Sequence, residues 1–360
     1  MPVTLAQLRR HAIARSLFKP TTLGRAIDRL GFVQADPIRA PARAQDLILR
    51  QRVKDYRAGD LDRRYARLAL EEDHFVNYGF LPRATQALMH PRSPRRPWPA
   101  EREAQAGEVL AWMAGRRAVH PREVDARFAH GTATTWFGGT ARASTQLLDD
   151  MHYRGLLRVA RREGGTRLYT LRQATPPPTD PQAAFDALID VIVGQYAPLP
   201  AASLGQLLSL LRVGVPQWAG VRHAAQQRAR QRLAHARIDG IDWLWPADER
   251  LRRGAPHETV RLLAPFDPLT WDRRRFELFW GWAYRFEAYT PPAKRKLGYY
   301  ALPMLWRDHV VGWANVTTNA GRVRADVGYA GGAAPGDPLF HRELEAELAR
   351  LEAFLQVREG

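Results

Sequence analysis

Two side chains near the amino terminus could together hold and activate a water molecule. Gln34 and Asp36 lie two residues apart, and Pro37 follows Asp36. A residue before proline is pushed out of the helical region, and in extended backbone alternate side chains point to the same side. The amide could then orient a water whose proton the carboxylate accepts. The alternative is structural: a strand end closed by a turn, with Asp36 as a cap.

Other reaction chemistries are not indicated. The chain has no cysteine, and its eleven histidines are dispersed without metal-ligand spacing, so we expect no metal. No phosphate-binding or dinucleotide-binding glycine motif occurs, so we expect no cofactor. The four lysines lie outside the motif, at Lys19, Lys54, Lys294 and Lys296. Their positions favour attack by water over a Schiff-base mechanism.

The chain is strongly basic. Its 360 residues include 54 lysines and arginines against 37 aspartates and glutamates, which gives a net charge of +17. Such an excess predicts a polyanionic partner, nucleic acid first. A GC-rich genome would explain arginine in place of lysine, but not the excess of basic over acidic residues. No apolar run is long enough to span a membrane and no signal peptide is apparent, so we expect a cytoplasmic protein without a membrane partner.

Helical spacing and turn residues predict the elements that position the motif. A helix over 4–18 is capped by Thr4, and a second helix over 22–30 ends at Gly31. The extended motif follows directly. A third helix is predicted over 44–56, after the motif.

Two later stretches repeat the order helix, helix, hairpin. In one, helices over 120–128 and 144–153 precede two strands joined by a Gly-Gly turn, which Arg161 and Arg162 flank. In the other, three helices within 181–236 precede a strand pair joined by Asp-Gly. We interpret these stretches and the amino-terminal helices as three tandem winged helix-turn-helix units. The tip of such a unit can meet phosphate, or the unit can pack against protein.

The pattern changes after Thr259, where short runs alternate apolar and polar residues. Strands are predicted over 260–263, 284–289, 298–305, 309–315 and 322–327, followed by a closing helix over 339–357. Regularly spaced short strands indicate a small antiparallel β-barrel. The expected fold class is therefore α+β, with tandem winged units and a carboxy-terminal antiparallel β-barrel. The expected domains are 1–90 with the motif, 100–175 and 180–250 for the next two winged units, and 258–360 for the barrel and its closing helix.

Two widely separated blocks resemble the AlkZ/AlkX (YcaQ-like) winged-helix DNA glycosylases. The first is Gln-Ala-Asp-Pro-Ile at 34–38 with Ala-Gln-Asp-Leu-Ile-Leu-Arg at 44–50. The second begins with Leu-Leu-Ala-Pro-Phe-Asp-Pro-Leu-Thr-Trp-Asp at 262–272 and continues through 284–289 and 292–300. At the place of Gln34-Ala-Asp36 the family carries Gln-x-Gln or Gln-apolar-Asp. Because this chain has the version with Asp, it is more similar to the AlkX branch than to the AlkZ branch.

The resemblance implies a monofunctional enzyme that hydrolyses the N-glycosidic bond of purines alkylated at N7 or N3. It also implies unhooking of DNA interstrand crosslinks. Asp36 would stabilise positive charge on the deoxyribose and act as base, while Gln34 holds the water. The partner would be double-stranded DNA with alkylated bases or crosslinks, bound by a monomer associated with the nucleoid. The competing class is a non-enzymatic winged-helix DNA-binding regulator, which would need neither block.

Candidate DNA contacts combine charge or an aromatic ring with an exposed turn. They are Arg39, Arg43, Arg161, Arg162, Lys294, Arg295, Lys296 and Tyr299. Lys294, Arg295 and Lys296 belong to a basic hairpin tip expected at 291–296, which Tyr299 flanks; an ordinary solvated hairpin is the alternative. Asp267 and Asp272 form a second carboxylate pair, and the prolines around Asp267 favour a structural role in a turn.

Overall fold

The structure is a computed structural model. It describes residues 2–93, 96–134, 140–174, 176–252, 256–319 and 322–356. The chain divides into two compact units built from non-contiguous segments. The first unit comprises the chain up to Asp60, Ile189–Leu207 and the chain from Gln226 onward, and the second comprises Leu61–Leu188 and Leu208–Ala225. The finer division into four domains stays a prediction, as does the number of winged-helix units.

Two helices of the first unit lead to the motif, and both confirm the sequence prediction. Leu5–Ser16 begins at Thr4, whose side chain accepts a hydrogen bond from the backbone of the third helical residue in a reciprocal capping box. Leu23–Leu30 ends at Gly31, which has a φ of +71°. A Cβ atom at Gly31 would lie 2.6 Å from the side chain of Val191, so glycine is required there for two reasons.

The motif begins with a two-residue strand, Val33–Gln34, and the helix Ala44–Leu49 follows it. The predicted continuation of this helix to residue 56 is wrong. The carboxylate of Asp46 accepts hydrogen bonds from the Tyr56 hydroxyl (2.7 Å) and from a backbone N–H three residues further on. The chain therefore folds back over the helix instead of extending it.

An antiparallel sheet forms the carboxy-terminal part of the first unit. Its strands are Val260–Leu262, Leu302–Trp306, His309–Asn319 and Arg322–Tyr329, in an order that follows the chain. Over the described ranges the sheets are not closed into a barrel, so the predicted β-barrel is wrong. A smaller sheet of the same unit places Ile241–Trp245 between Leu199–Pro200 and Ala234–Ile238. Its last two strands form the predicted Asp-Gly hairpin.

The strand predicted over 284–289 is not formed either. The alternation of apolar and polar residues here reflects aromatic side chains that pack together. The Phe286 ring contacts the rings of Phe266, Tyr289 and Tyr300, with 5.0, 6.0 and 5.2 Å between ring centroids. The first unit contains two further α-helices after residue 260 in the described chain. Arg273–Trp280 is absent from the sequence prediction, whereas Pro338–Leu355 confirms the closing helix.

Among its described residues, the second unit contains three antiparallel strand pairings and four complete α-helices. The strand pairs are Leu70–His74 with Tyr78–Pro82, Thr132–Thr134 with Thr140–Arg142, and Leu157–Glu163 with Thr166–Leu171. The helices are Arg83–Ala87, Ala100–Met113, Pro121–Phe128 and Ala143–Tyr153. The last two helices and the Gly-Gly hairpin after them confirm the sequence prediction. The remaining α-helices of the described chain are Asp60–Arg64, Pro181–Tyr196, Ala201–Gly214 and Arg222–Arg232.

Buried charges hold the second unit together beside its apolar core. Asp73 is fully buried and accepts hydrogen bonds from His90 (2.7 Å), Arg92 (3.0 Å) and Gln86 (2.9 Å). Although burial opposes ionisation, Arg92 and His90 hold the pKa of Asp73 well below its usual range. A buried carboxylate that is paired and hydrogen-bonded in this way is a structural group.

Candidate active site

Gln34 and Asp36 both belong to the first unit, but their side chains have different surroundings. Gln34 is buried, whereas Asp36 is half-buried. Asp36 Oδ1 accepts the backbone N–H of Ile38 at 2.9 Å, and the backbone N–H of Asp36 donates to Gln45 Oε1 at 3.3 Å. The bond to Ile38 is the turn cap that the structural interpretation predicts. It engages one carboxylate oxygen and leaves Oδ2 without a hydrogen-bond partner among the described residues.

The environment of Asp36 changes its acidity. Burial raises the pKa of the carboxyl, and the hydrogen bond from Ile38 only partly offsets this effect. A carboxylate with a raised pKa is a stronger base than one in water. Asp36 is therefore suited to accept a proton from a water molecule at its partly exposed side.

Gln34 is oriented by a tryptophan from a distant part of the chain. Trp271 Nε1 donates to Gln34 Oε1 at 2.8 Å. Because an indole N–H can only donate, this bond assigns the oxygen and nitrogen of the amide. The Gln34 NH₂ group is thus the part that remains to donate a hydrogen bond to a ligand or to the oxygen of a water.

The segment that carries Trp271 is anchored by a buried ion pair. Arg52 donates to both carboxylate oxygens of Asp267, at 2.8 and 2.9 Å, and both side chains are fully buried. The backbone N–H of Trp271 donates to the backbone carbonyl of Asp267 at 2.8 Å. The Arg52 side chain also donates to the backbone carbonyls of Ser16 and Ile48. Removing one partner of such a pair costs about 3–5 kcal/mol. Asp267 has the structural role that its prolines indicate.

Asp272 is structural as well. It caps the helix Arg273–Trp280, because its side chain accepts a hydrogen bond from the backbone N–H of Arg275 at 3.1 Å. The fully buried Arg275 side chain donates to the carbonyl of Tyr196. The Tyr196 ring in turn packs against Trp271, with 5.4 Å between ring centroids. The two carboxylates of this block therefore support Trp271 rather than take part in the chemistry.

Three tyrosines lie within the electrostatic influence of the motif or of one another. The pKa of Tyr289 and the pKa of Tyr300 are both raised. The larger cause is loss of contact with solvent, which is partial at Tyr289, and the second cause is the negative charge of Asp36. Tyr289 and Tyr299 are 77% and 44% exposed, which is unusual for large rings. Tyr300 is buried, and its hydroxyl has no hydrogen-bond partner within the described ranges. The exposed rings are available for stacking on a nucleobase.

The basic segment near these tyrosines is not the predicted hairpin. Pro292–Lys294 forms a single 3-10 turn, and Glu287 accepts the backbone N–H groups of Lys296 (2.8 Å) and Leu297 (2.7 Å). These two bonds fix the loop without strand pairing. The side chains of Lys294 and Lys296 are exposed.

The remaining candidate DNA contacts are dispersed over both units. Arg295 stacks over the Tyr299 ring at 5.0 Å, and Arg39 is exposed while Arg43 is half-buried, all in the first unit. In the second unit, the exposed Arg161 pairs with Glu163 at 2.6 Å. Its neighbour Arg162 donates to the buried Glu72 at 2.8 Å, so its charge is already compensated within the unit. Contact of these residues with DNA stays a prediction.

Sequence reasoning missed the two residues outside the motif that form hydrogen bonds with it, namely Gln45 and Trp271. Gln45 and Trp271 fall inside the two blocks that carry the resemblance, which is the signal that could have identified them. No group of His, Asp or Glu among the described residues could hold a metal ion. No helix in those ranges is both long and apolar enough to cross a membrane.

Trp271 thus orients the amide of Gln34, and two residues further along the chain burial raises the pKa of Asp36. The chain belongs to the AlkZ-like DNA glycosylase family, because the family model described as DNA glycosylase AlkZ-like matches residues 27–354. The structure is also similar to that of Streptomyces sahachiroi DNA glycosylase AlkZ, with a TM-score of 0.58 and 16% identity over 99% of this chain and 100% of that chain. This likeness shows a common fold. The predicted family is confirmed, whereas the AlkX branch stays a prediction.

Proposed function

We propose that the protein is a monofunctional DNA glycosylase that hydrolyses the N-glycosidic bond of purines alkylated at N7 or N3. The observation that carries the proposal is that Trp271 holds the side-chain oxygen of Gln34, two residues before the half-buried Asp36. Asp36 and Gln34 are the proposed catalytic groups. Membership of the AlkZ-like DNA glycosylase family supports DNA as the substrate.

The reaction needs a base and a charge stabiliser but no acid. Alkylation at N7 or N3 makes the purine cationic, so it leaves as a neutral base and takes the electrons of the C1′–N bond. Positive charge grows on the deoxyribose, where the Asp36 carboxylate stabilises it. A water molecule held by the Gln34 NH₂ group attacks C1′, and Asp36 accepts its proton. The product is an abasic site in an unbroken strand.

Exposed side chains of the first unit support the proposed contact with DNA. Tyr289 and Tyr299 offer rings for stacking, and Lys294 and Lys296 offer charges for the phosphate backbone. We propose that damaged duplex is bound by a monomer associated with the nucleoid. We further propose that crosslinked purines are substrates, because the half-exposed carboxylate does not require a base to enter a closed cavity.

A product assay tests the proposal. Duplex DNA with alkylated purines is incubated with the protein and excess EDTA, and each sample is resolved both directly and after hot alkali. We expect free base and strand breaks only in the alkali-treated half, with undamaged duplex as the control. Direct strand breaks, or a DNA adduct trapped by borohydride, would instead place an amine at the sugar. Binding without release of base would favour the regulator class.

A further inference from the structure

The first unit contains a basic cavity that the proposed mechanism does not use. Its volume is about 270 Å³. Its lining residues are His11, Arg15, Arg29, Gly194, Glu249, Arg250 and Arg252. Sites for drug-sized ligands usually occupy roughly 300–1,000 Å³, so this cavity suits a small ion rather than a nucleobase.

The one carboxylate of the lining is already engaged. Glu249 accepts two hydrogen bonds from Arg15, each of 2.6 Å, and one from His11 Nε2 at 3.1 Å. Although burial opposes them, His11 and Arg15 lower the pKa of Glu249 to about 2. His11 Nδ1 accepts the backbone N–H of Arg252 at 3.3 Å, so Nε2 is the ring nitrogen that donates to Glu249. Glu249 is therefore ionised and occupied by these two partners.

Three guanidinium groups remain around the cavity. Arg29, Arg250 and Arg252 are exposed and form no salt bridge with a carboxylate of the described residues. Burial lowers the pKa of Arg29, and the charges of Arg252 and Arg15 lower it further. Arg252 and Arg15 thus repel Arg29, and the lining as a whole has an excess of positive charge. An anion bound among them would relieve this repulsion.

We propose that this cavity binds a phosphate group. Planar guanidinium groups form paired hydrogen bonds with phosphate oxygens, and several of them can share one tetrahedral anion. The phosphate can belong to the DNA backbone or be free inorganic phosphate, and both present the same oxygens. The first source rests on the proposed DNA-binding function, whereas the second does not.

The cavity is coupled to the motif through the chain. Gly194 lines the cavity, and the adjacent Gln195 donates a hydrogen bond of 2.6 Å to the carbonyl of Phe32, two residues before Gln34. Arg29 lies near the end of the helix Leu23–Leu30 that leads into the same segment. A backbone phosphate held here would therefore fix the DNA relative to the strand that carries Gln34.

Titration with inorganic phosphate tests the site directly. Heat of binding and thermal stability are measured for the wild type, for Arg29→Gln/Arg252→Gln, and for the matched control Arg342→Gln, an exposed arginine of the closing helix. Sodium chloride at equal ionic strength corrects for screening. We expect saturable binding by the wild type and the control, and at least tenfold weaker binding by the double variant. Equal binding by all three proteins would overturn the site.

Binding of undamaged duplex at several salt concentrations separates the two sources. If the DNA backbone occupies the cavity, the double variant flattens the slope of log K against log salt by about 0.9 per lost contact, and phosphate competes with DNA. If free phosphate is the ligand, phosphate binding is lost and the slope is unchanged. A second variant, Arg250→Gln/Arg252→Gln, serves if the first unfolds. If the double variant changes neither phosphate binding nor the salt slope, the proposed phosphate site is refuted. Release of base from alkylated duplex is measured separately, because it tests only the proposed glycosylase activity.

Discussion

The indole N–H of Trp271 donates a hydrogen bond of 2.8 Å to the side-chain oxygen of Gln34, although the two residues are 237 positions apart. This bond does two things. It gives the buried amide oxygen of Gln34 a hydrogen-bond donor, and it leaves the NH₂ group as the end of the amide that can bind a ligand. The orientation of the proposed water therefore depends on a residue that belongs to neither the motif nor its neighbouring helices.

Replacement of Trp271 by phenylalanine removes the donor and retains a ring to pack against Tyr196. The Gln34 amide can then rotate, and we expect kcat to fall about tenfold, which corresponds to the loss of one hydrogen bond of about 1.4 kcal/mol. The DNA dissociation constant should stay within a few-fold. Single-turnover excision and fluorescence anisotropy measure the two quantities.

Trp280→Phe is the matched control, because Trp280 also donates its indole N–H, to the carbonyl of Asp308 at 3.0 Å. If both variants lose activity equally, the effect is on general stability and Trp271 does not orient Gln34.

Asp36→Asn should abolish most excision, by a hundredfold or more, and keep DNA affinity within a few-fold. The reason is that Asp36 acts in the transition state while phosphate contacts dominate binding. Gln34→Ala should have a weaker effect, because Asp36 alone can still hold the water in part. A purified, folded Asp36→Asn protein with a near wild-type rate would remove Asp36 from the mechanism.

The rate should fall on the acid side as Asp36 becomes protonated. Burial raises the pKa of this carboxyl, so the midpoint of the loss in kcat/KM should lie above the ordinary value of 3.8. The residual rate of Asp36→Asn should lack this titration. A pH profile of single-turnover excision, in buffers in which the fold is intact, compares the two proteins.

The same raised pKa predicts a stability change of known sign. The folded protein binds the Asp36 proton more tightly than the unfolded chain does, so ionised Asp36 destabilises the fold once the pH exceeds these pKa values. Asparagine keeps an oxygen to accept the N–H of Ile38 and removes the charge. Asp36→Asn should therefore have a Tm at pH 7 equal to or above that of the wild type, as measured by calorimetry. A clear decrease in Tm would contradict this assignment.

Neutralising Lys294 and Lys296 together should weaken binding to any DNA sequence. Each lost phosphate contact should reduce the slope of log K against log salt by about 0.9. Both side chains are exposed, and the loop is fixed by backbone bonds to Glu287, so glutamine at either position leaves the fold intact. An unchanged slope would place this loop away from the DNA.

Local signals predicted what depends on local physics. Thr4 and Gly31 set the ends of the first two helices, and glycine-containing turns set two hairpins, because capping and turn conformations involve neighbouring residues only. The predicted extended segment includes the observed strand Val33–Gln34. Periodicity failed where aromatic residues alternate without forming a strand, as around Phe286.

The sequence by itself determined the basic charge, the two amino-terminal helices, the close spacing of Gln34 and Asp36 along the chain and the resemblance that indicates the family. Only the tertiary structure decided how that pair is held. Arg52 and Asp267 form a buried ion pair between distant segments, and Trp271 reaches Gln34 from the segment that this pair anchors. The sheet is likewise open because its strands pair in chain order without closing over the described ranges. These features depend on which distant side chains become buried together, and neither spacing nor local conformational preference encodes that directly.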